Sequence, residues 1–468
     1  MKRLLTLVAA AIVPLAVLVP LPSSAAPSAC SSLSVKAPQG GHVDSVTGLD
    51  QPGGTVDFPA NPPFPASSVA GVPAYCQVTV QLSHPGAGDH VKTVVWLPKT
   101  GWNGRFQALG GGGYAAGEFG APWANAIKAG YAVASTDAGV VGSPYTADSW
   151  ALKDGKVDQG LLTNFASRSV HDLAIVGKAV VNDYYGRAAA YTYWNGCSTG
   201  GRQGYVEAQQ HPTDFDGILA ASPAVNWDRW TVGAIWPAVV MNQEHTYPTK
   251  CEFEEFTKAA VQACGLEDPA NCHWAPERLI GKTVLCEGKS VTITAADARV
   301  VRKIWDGGPW YGLTRGTPLD GLAATDGQHA VPFVVPDSWI RNFLKLDPSY
   351  DTSKLTYAQY YKLFRQSHAQ YNKVIGSDNP DLSGLRRAGG KLLSWHGLAD
   401  SLIPAQGTVD YRQRVEHRMG RVDSFYRLFL VPGAGHCGGG PAPTDPLGAL
   451  VKWVEQGKAP RTLSDLNA

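Results

Sequence analysis

From about residue 76 the chain alternates two kinds of hydrophobic pattern. "CQVTVQL" and "VKTVVWLP" alternate apolar and polar residues, the signature of paired strands. "RFQALGGGGY" runs from a short apolar strand into a glycine loop. "APWANAIKAG" predicts a short helix and "YAVASTDAG" a buried strand. In "SRSVHDLAIVGKAVVNDYYG" the apolar residues Val170, Leu173, Ala174, Val176 and Val180 recur at helical spacing, and the pattern stops at Gly186. "AAYTYWNG" predicts another strand, "GRQGYVEAQQHP" a helix ended by Pro212, and "FDGILAASPA" a further strand. This alternation predicts the α/β class: a mostly parallel, doubly wound sheet with helices on both faces.

The pattern changes after residue 228. Residues 229–378 are rich in Trp, Pro and Cys and carry short helical pieces without clear buried strands. The alternation resumes with the strand "GGKLLSWHGLAD", the helix "PAQGTVDYRQRVEHRMG", the strand "FYRLFLVPGAGHC" and the helix "PLGALVKWVEQG". The organisation expected is one α/β unit in two parts, residues 27–228 and 379–468, interrupted by an inserted, mainly helical lid over 229–378.

Residues 1–26 have a different pattern. Lys2 and Arg3 precede an apolar run broken by Pro14 and Pro20, and small residues lead to a cleavage position near Ala25 or Ala26. This is the layout of a secretory signal peptide. No later stretch is long and apolar enough to span a bilayer, so the mature chain is expected to be secreted and free of the membrane. Composition adds that 468 residues, 44% of them hydrophobic, can bury a large core. Lys plus Arg is 40 against 39 for Asp plus Glu, with no basic block, which argues against a nucleic-acid partner.

Export makes the eight cysteines informative. An even number in an oxidising compartment suggests four disulfides, and the absence of paired CxxC spacing argues against a zinc site. Eight cysteines admit about 105 pairings. Clustering narrows these: Cys30 and Cys76 lie near the N-terminus, Cys251, Cys264, Cys272 and Cys286 lie together, and Cys197 and Cys437 remain.

Those two flank the candidate chemistry. Gly196-Cys197-Ser198-Thr199-Gly200 fits G-x-S-x-G between a strand and a helix, the context of a nucleophile elbow. A serine hydroxyl needs a positioned base, and the base needs a third group to hold its tautomer. In α/β-hydrolases these follow in the order Ser, Asp or Glu, His. Asp400 and His436 each follow a predicted strand in that order, so Ser198, Asp400 and His436 form the candidate triad. Ser198 also fits a helix N-cap, Asp400 a turn, and His396 competes as the base although it precedes Asp400. His171 reads as a hydrogen-bonded helix histidine. Oxyanion donors are expected from the N–H of Thr199 and from the loop of Gly111, Gly112 and Gly113. A Cys197–Cys437 disulfide would tie the elbow to the histidine loop.

At these residues the sequence resembles the tannase and feruloyl esterase family of secreted α/β-hydrolases. "GCSTGGRQG", "HGLAD" and "GAGHC" carry the resemblance, joined by "GGGGY", "SVHDLA" and "FDGILAASPA". The resemblance implies hydrolysis of aromatic-acid esters by a disulfide-bridged triad. Members often hold calcium in the lid between two cysteines. Here the matching stretch "CGLEDPANC" offers only the carboxylates of Glu267 and Asp268, too few for calcium. No metal or other cofactor is therefore expected. A Cys264–Cys272 bridge nested inside Cys251–Cys286, with Cys30–Cys76 near the N-terminus, completes the expected pairings.

The function expected is a secreted serine ester hydrolase. Its acyl group would be a hydroxycinnamate such as ferulate or p-coumarate, released from plant cell-wall polysaccharide. Its partner is then a small aromatic ester or a feruloylated polysaccharide. Trp227, Trp230, Trp236, Trp305, Trp310 and Phe333 are candidate stacking surfaces for the aromatic acid, each competing with a place in the core. The alternatives are a tannase, another aromatic monoester hydrolase, a peptidase, or a non-catalytic phenolic- or carbohydrate-binding protein. The oligomeric state is left open.

Overall fold

The computed structural model describes residues 28–60, 66–117 and 120–463. The predicted signal peptide lies outside them. Nine strands form one sheet: β1 (His42–Gln51), β2 (Tyr75–Ser83), β3 (Val91–Pro98), β4 (Arg105–Leu109), β5 (Ala132–Thr136), β6 (Tyr191–Cys197), β7 (Gly217–Ala221), β8 (Lys391–Gly397) and β9 (Tyr426–Val431). Their spatial order is β1-β2-β3-β5-β4-β6-β7-β8-β9. The first three strands run antiparallel, and from β5 to β9 every neighbouring pair is parallel. This is the α/β-hydrolase arrangement.

Helices cover both faces, as their apolar stripes require. Helix α2 (Ser169–Tyr185) packs Val170, Leu173, Val176 and Val180 against Val95, Phe106 and Ala134 on one face. It ends at Gly186, whose left-handed φ of 66° suits glycine. Helix α4 (Gln406–Met419) shares that face through Tyr411 and Val415. Helices α1 (Ala121–Lys128) and α5 (Pro446–Gln456) bury Trp123, Ile127, Leu450 and Trp453 on the other. Helix α3 (Thr199–Gln210) follows β6 directly.

Between β7 and β8 the chain leaves the sheet and builds an inserted segment. It holds several helices, of which Lys250–Cys264, Ala295–Asp306 and Tyr357–Ile375 are the longest, and the antiparallel hairpin Thr283–Cys286/Lys289–Thr292. Its hydrophobic core is continuous with Tyr114, Trp150 and Phe165 of the α/β unit. Four disulfides join Cys30–Cys76, Cys197–Cys437, Cys251–Cys286 and Cys264–Cys272. No helix among the described residues is long and apolar enough to cross a membrane.

Candidate active site

Three turns at the C-terminal ends of the parallel strands β6, β8 and β9 carry the candidate residues. Ser198 sits between β6 and α3 with φ 60° and ψ −118°, a strained backbone for a residue with a Cβ. The flanking glycines make that turn possible. A Cβ on Gly196 would lie 2.5 Å from the Gly200 carbonyl carbon, and one on Gly200 would lie 3.0 Å from the Gly111 oxygen. Ser198 makes no side-chain cap bond to α3, which removes the N-cap reading.

Asp400 follows β8 and is buried. Its Oδ1 accepts the backbone N–H groups of Leu402 and Ile403, each at 2.9 Å. Its Oδ2 faces Nδ1 of His436 at 2.8 Å and Nε2 of His396 at 3.1 Å. Burial pushes the Asp400 carboxyl up. The charge of His436 and the hydrogen bonds from His396 and His436 outweigh this and hold it well below the usual carboxylate range. With Nδ1 of His436 committed to Asp400, the lone pair for accepting a proton is on Nε2. The Cys197–Cys437 disulfide brings the residues adjoining Ser198 and His436 to a Cα separation of 5.7 Å.

His396 is wholly buried and supports the carboxylate rather than replacing His436. Its Nε2 also lies 2.9 Å from the Ile403 oxygen, and both neighbours are acceptors, so Nε2 carries the proton. The Thr408 hydroxyl lies 2.9 Å from its Nδ1. We expect His396→Leu to lower kcat about tenfold at unchanged KM and to cost about 1–3 kcal/mol of stability, because Asp400 and Ile403 lose a buried donor. Steady-state kinetics with denaturant unfolding would check this. Unchanged kcat would mean that His436 and the loop N–H groups orient Asp400 unaided.

The oxyanion expectation needs one correction. The Gly111 N–H donates to Gln203 Oε1 at 3.1 Å, so it is not free for a substrate oxygen. Its carbonyl accepts from Gly200 at 2.8 Å, so Gly111 locks the glycine loop to the elbow. The N–H groups of Thr199, Gly112 and Gly113 have no protein acceptor among the described residues. Thr199 Oγ1 donates to the Gly113 oxygen at 2.6 Å. Gly113 itself is obligatory, since a Cβ there would lie 2.1 Å from the Pro144 oxygen. Gln203, whose Nε2 also holds the Ala116 oxygen, was not legible as a site residue. Neither was Ser222, whose Oγ lies 3.5 Å from the Cys437 nitrogen.

The stacking candidates divide. Trp227, Trp230, Trp236 and Trp305 are at most 8% exposed and belong to the inserted segment's core, which corrects their place among the substrate-facing residues. Trp227 is enclosed by Tyr114, Phe165, Trp230 and Trp339 and offers no free face. Trp310 is half-buried and lines a 510 Å³ cavity with Arg229, Tyr311, Arg315 and Phe364. Phe333 is half-buried two residues before Val335. Val335 Cγ2 lies 3.8 Å from where a Gly113 Cβ would be, and the Val335 oxygen accepts from Tyr114 at 3.0 Å, so this segment reaches the glycine loop.

Between Cys264 and Cys272 the carboxylates are those of Glu267 and Asp268, and Asp268 Oδ2 accepts from Asn271 Nδ2 at 2.6 Å.

A family model described as tannase and feruloyl esterase matches residues 76–319 and 320–468. The chain belongs to the tannase and feruloyl esterase family. It is a carboxylic ester hydrolase. A protein named probable feruloyl esterase from Arthroderma benhamiae is 48% identical over 463 residues, covering 93% of this chain and 86% of the relative. Tannin acyl hydrolase from Aspergillus niger superposes with a TM-score of 0.78 at 25% identity, over 90% of this chain and 84% of that one. Feruloyl esterase B from Aspergillus oryzae gives 0.76 at 25% identity, over 90% and 88%.

Proposed function

We propose that this hydrolase is a secreted feruloyl esterase that releases hydroxycinnamates from plant cell-wall polysaccharide. The observation that carries the reading is the 48% identity to a relative named probable feruloyl esterase, across 93% of the chain. Four disulfides and the signal-peptide pattern support export.

In this reading Ser198 Oγ attacks the ester carbonyl while His436 Nε2 takes its proton. Asp400 holds the ring and stabilises the imidazolium. The N–H groups of Thr199, Gly112 and Gly113 receive the oxyanion at the positive end of α3. His436 returns the proton to the leaving alcohol, then activates water to hydrolyse the acyl-enzyme. The inserted segment acts as a lid, and Phe333 with Val335 walls the acyl side.

A panel of methyl ferulate, methyl p-coumarate, methyl gallate and p-nitrophenyl acetate tests the substrate. We expect kcat/KM on ferulate to exceed that on gallate by at least about tenfold, the scale at which pocket contacts discriminate. Preference for gallate would make the protein a tannase, the reading favoured by the likeness to tannin acyl hydrolase. Cleavage of the acetate alone would remove the aromatic acyl group from the proposal.

A further inference from the structure

Gln203 lies in the second turn of α3 and is wholly buried. Its Nε2 donates to the Ala116 oxygen at 2.8 Å, and its Oε1 accepts the Gly111 N–H at 3.1 Å. Only this orientation of the amide satisfies both partners. One side chain therefore bridges the two ends of the glycine loop and ties both to the helix that Ser198 precedes.

Hydrogen bonds account for the loop residue by residue. The Gly110 N–H donates to the Asn195 oxygen, that of Gly111 to Gln203, that of Tyr114 to the Pro144 oxygen and that of Ala115 to the Gly112 oxygen. Over residues 110–115, only the N–H groups of Gly112 and Gly113 lack an acceptor among the described residues. Exposure divides the loop in the same way: Gly110 and Gly111 are buried, Gly112 is exposed and Gly113 half-buried. A Cβ on Gly112 would meet nothing within 4 Å, whereas one on Gly111 would lie 2.0 Å from the Ala115 oxygen. Two free N–H groups are thus presented side by side, while bonds consume their neighbours. Glycine peptides have wide conformational freedom, so the orientation of this run of four must be imposed from outside. Helix α3 imposes it: Gly200 N–H and the Thr199 hydroxyl hold the Gly111 and Gly113 oxygens, and Gln203 holds the Gly111 N–H.

We propose that Gln203 is a positioning residue for the ester reaction. By binding Gly111 and Ala116 it fixes the peptide planes of the glycine loop, so that the N–H groups of Gly112 and Gly113, rather than that of Gly111, meet the oxyanion. This rests on the Ser198 mechanism proposed above and is independent of which acyl group is cleaved. A change at Gln203 then acts on the transition state, where the oxyanion forms, and leaves binding of the neutral ester largely alone.

The test is steady-state kinetics on whichever ester of the panel turns over fastest, in Gln203→Met, Gln203→Glu, Gln209→Met and Ser198→Ala. Methionine fills the volume and makes neither bond, so kcat should fall about 100-fold with KM little changed. Gln209 is the structural control. It lies on the same helix, and its Nε2 donates to the Ser377 oxygen at 2.9 Å and the Tyr411 hydroxyl at 3.0 Å, neither of which belongs to the loop. Gln209→Met should lower Tm as Gln203→Met does and keep the wild-type kcat. In Gln203→Glu an ionised carboxylate accepts from Gly111 but repels the Ala116 oxygen, whereas the protonated form makes both bonds. Its kcat relative to the wild type should therefore climb as pH falls from about 8 to about 5. A fall of less than about tenfold in Gln203→Met, or an equal fall in Gln209→Met, overturns the proposal. If Gln203→Met does not fold, Gln203→Glu decides: a rising ratio supports the proposal and a flat one overturns it. Ser198→Ala separates this proposal from the mechanism beneath it. If that variant is as active as the wild type, both fall; if it is inactive while Gln203→Met keeps full activity, only the role of Gln203 falls.

Discussion

Ser198→Ala is expected to lower kcat on methyl ferulate about 10⁶-fold with KM little changed, the scale seen when a triad nucleophile is removed. That corresponds to about 8 kcal/mol of transition-state stabilisation. The substitution removes one oxygen and keeps the Cβ, so the strained backbone at φ 60° is no harder to adopt. Since Ser198 makes no cap bond to α3, its loss should leave unfolding unchanged within about 0.5 kcal/mol. An N-cap serine would behave in the opposite way, costing about 1 kcal/mol of stability and no activity. Activity should not vanish, because the N–H groups of Thr199, Gly112 and Gly113 still receive an oxyanion when water attacks. Measured kcat, KM and denaturant unfolding together distinguish these outcomes. Activity retained within tenfold would remove Ser198 as nucleophile.

The strands that position the triad were legible because each is a short apolar run flanked by turn residues. β8, for example, is buried at every position after Lys391. β1 was not. It lies at the sheet edge, paired only with β2, and its residues are exposed or half-buried, so it lacks the alternation that marks a half-buried strand. The hairpin Gly54–Phe58/Ser67–Val72 escaped notice as well, since only Val69 and Val72 of it are buried and they lie three apart, out of strand alternation. The inserted segment failed differently. In Trp236–Glu244 the first six residues are all buried, so no stripe marks a helix. Burial on all sides also explains why sequence alone could not separate core from stacking surface for Trp227, Trp230, Trp236 and Trp305, all of which serve as core.

The site shows the same division. Ser198, Asp400 and His436 could be found because each follows a strand and the order along the chain is characteristic. His396, Gln203 and Ser222 act through contacts made only in the folded chain, and nothing local marks them. The glycine loop fell between these cases. Its role in close approach could be read from composition, but the spending of the Gly111 N–H depends on Gln203, one turn along α3.

Removing the staple is expected to separate two functions of the disulfide. In the double variant Cys197→Ala/Cys437→Ala, the closed loop of 240 residues is opened. Chain entropy then predicts a loss of up to about 5 kcal/mol in unfolding free energy, read from the denaturant midpoint. A second loss should appear in the molecules that remain folded. His436 sits in "GAGHCGGG", where Gly438, Gly439 and Gly440 all have positive φ. Such a loop has little intrinsic stiffness. Apart from the disulfide, its ties among the described residues are the bond from His436 to Asp400, the Ala399 N–H to the Ala434 oxygen at 3.0 Å, the long contact to Ser222 and bonds within the turn, such as Gly435 N–H to the Gly439 oxygen. Misplacing a catalytic group by about 1 Å costs about 100-fold in rate, so kcat should fall by that order while KM holds. Lower stability with kcat intact would make the bridge a purely structural cross-link. If neither quantity changed, the histidine loop would be held by its backbone alone, and adjacent cysteines would have no part in keeping Ser198 and His436 together.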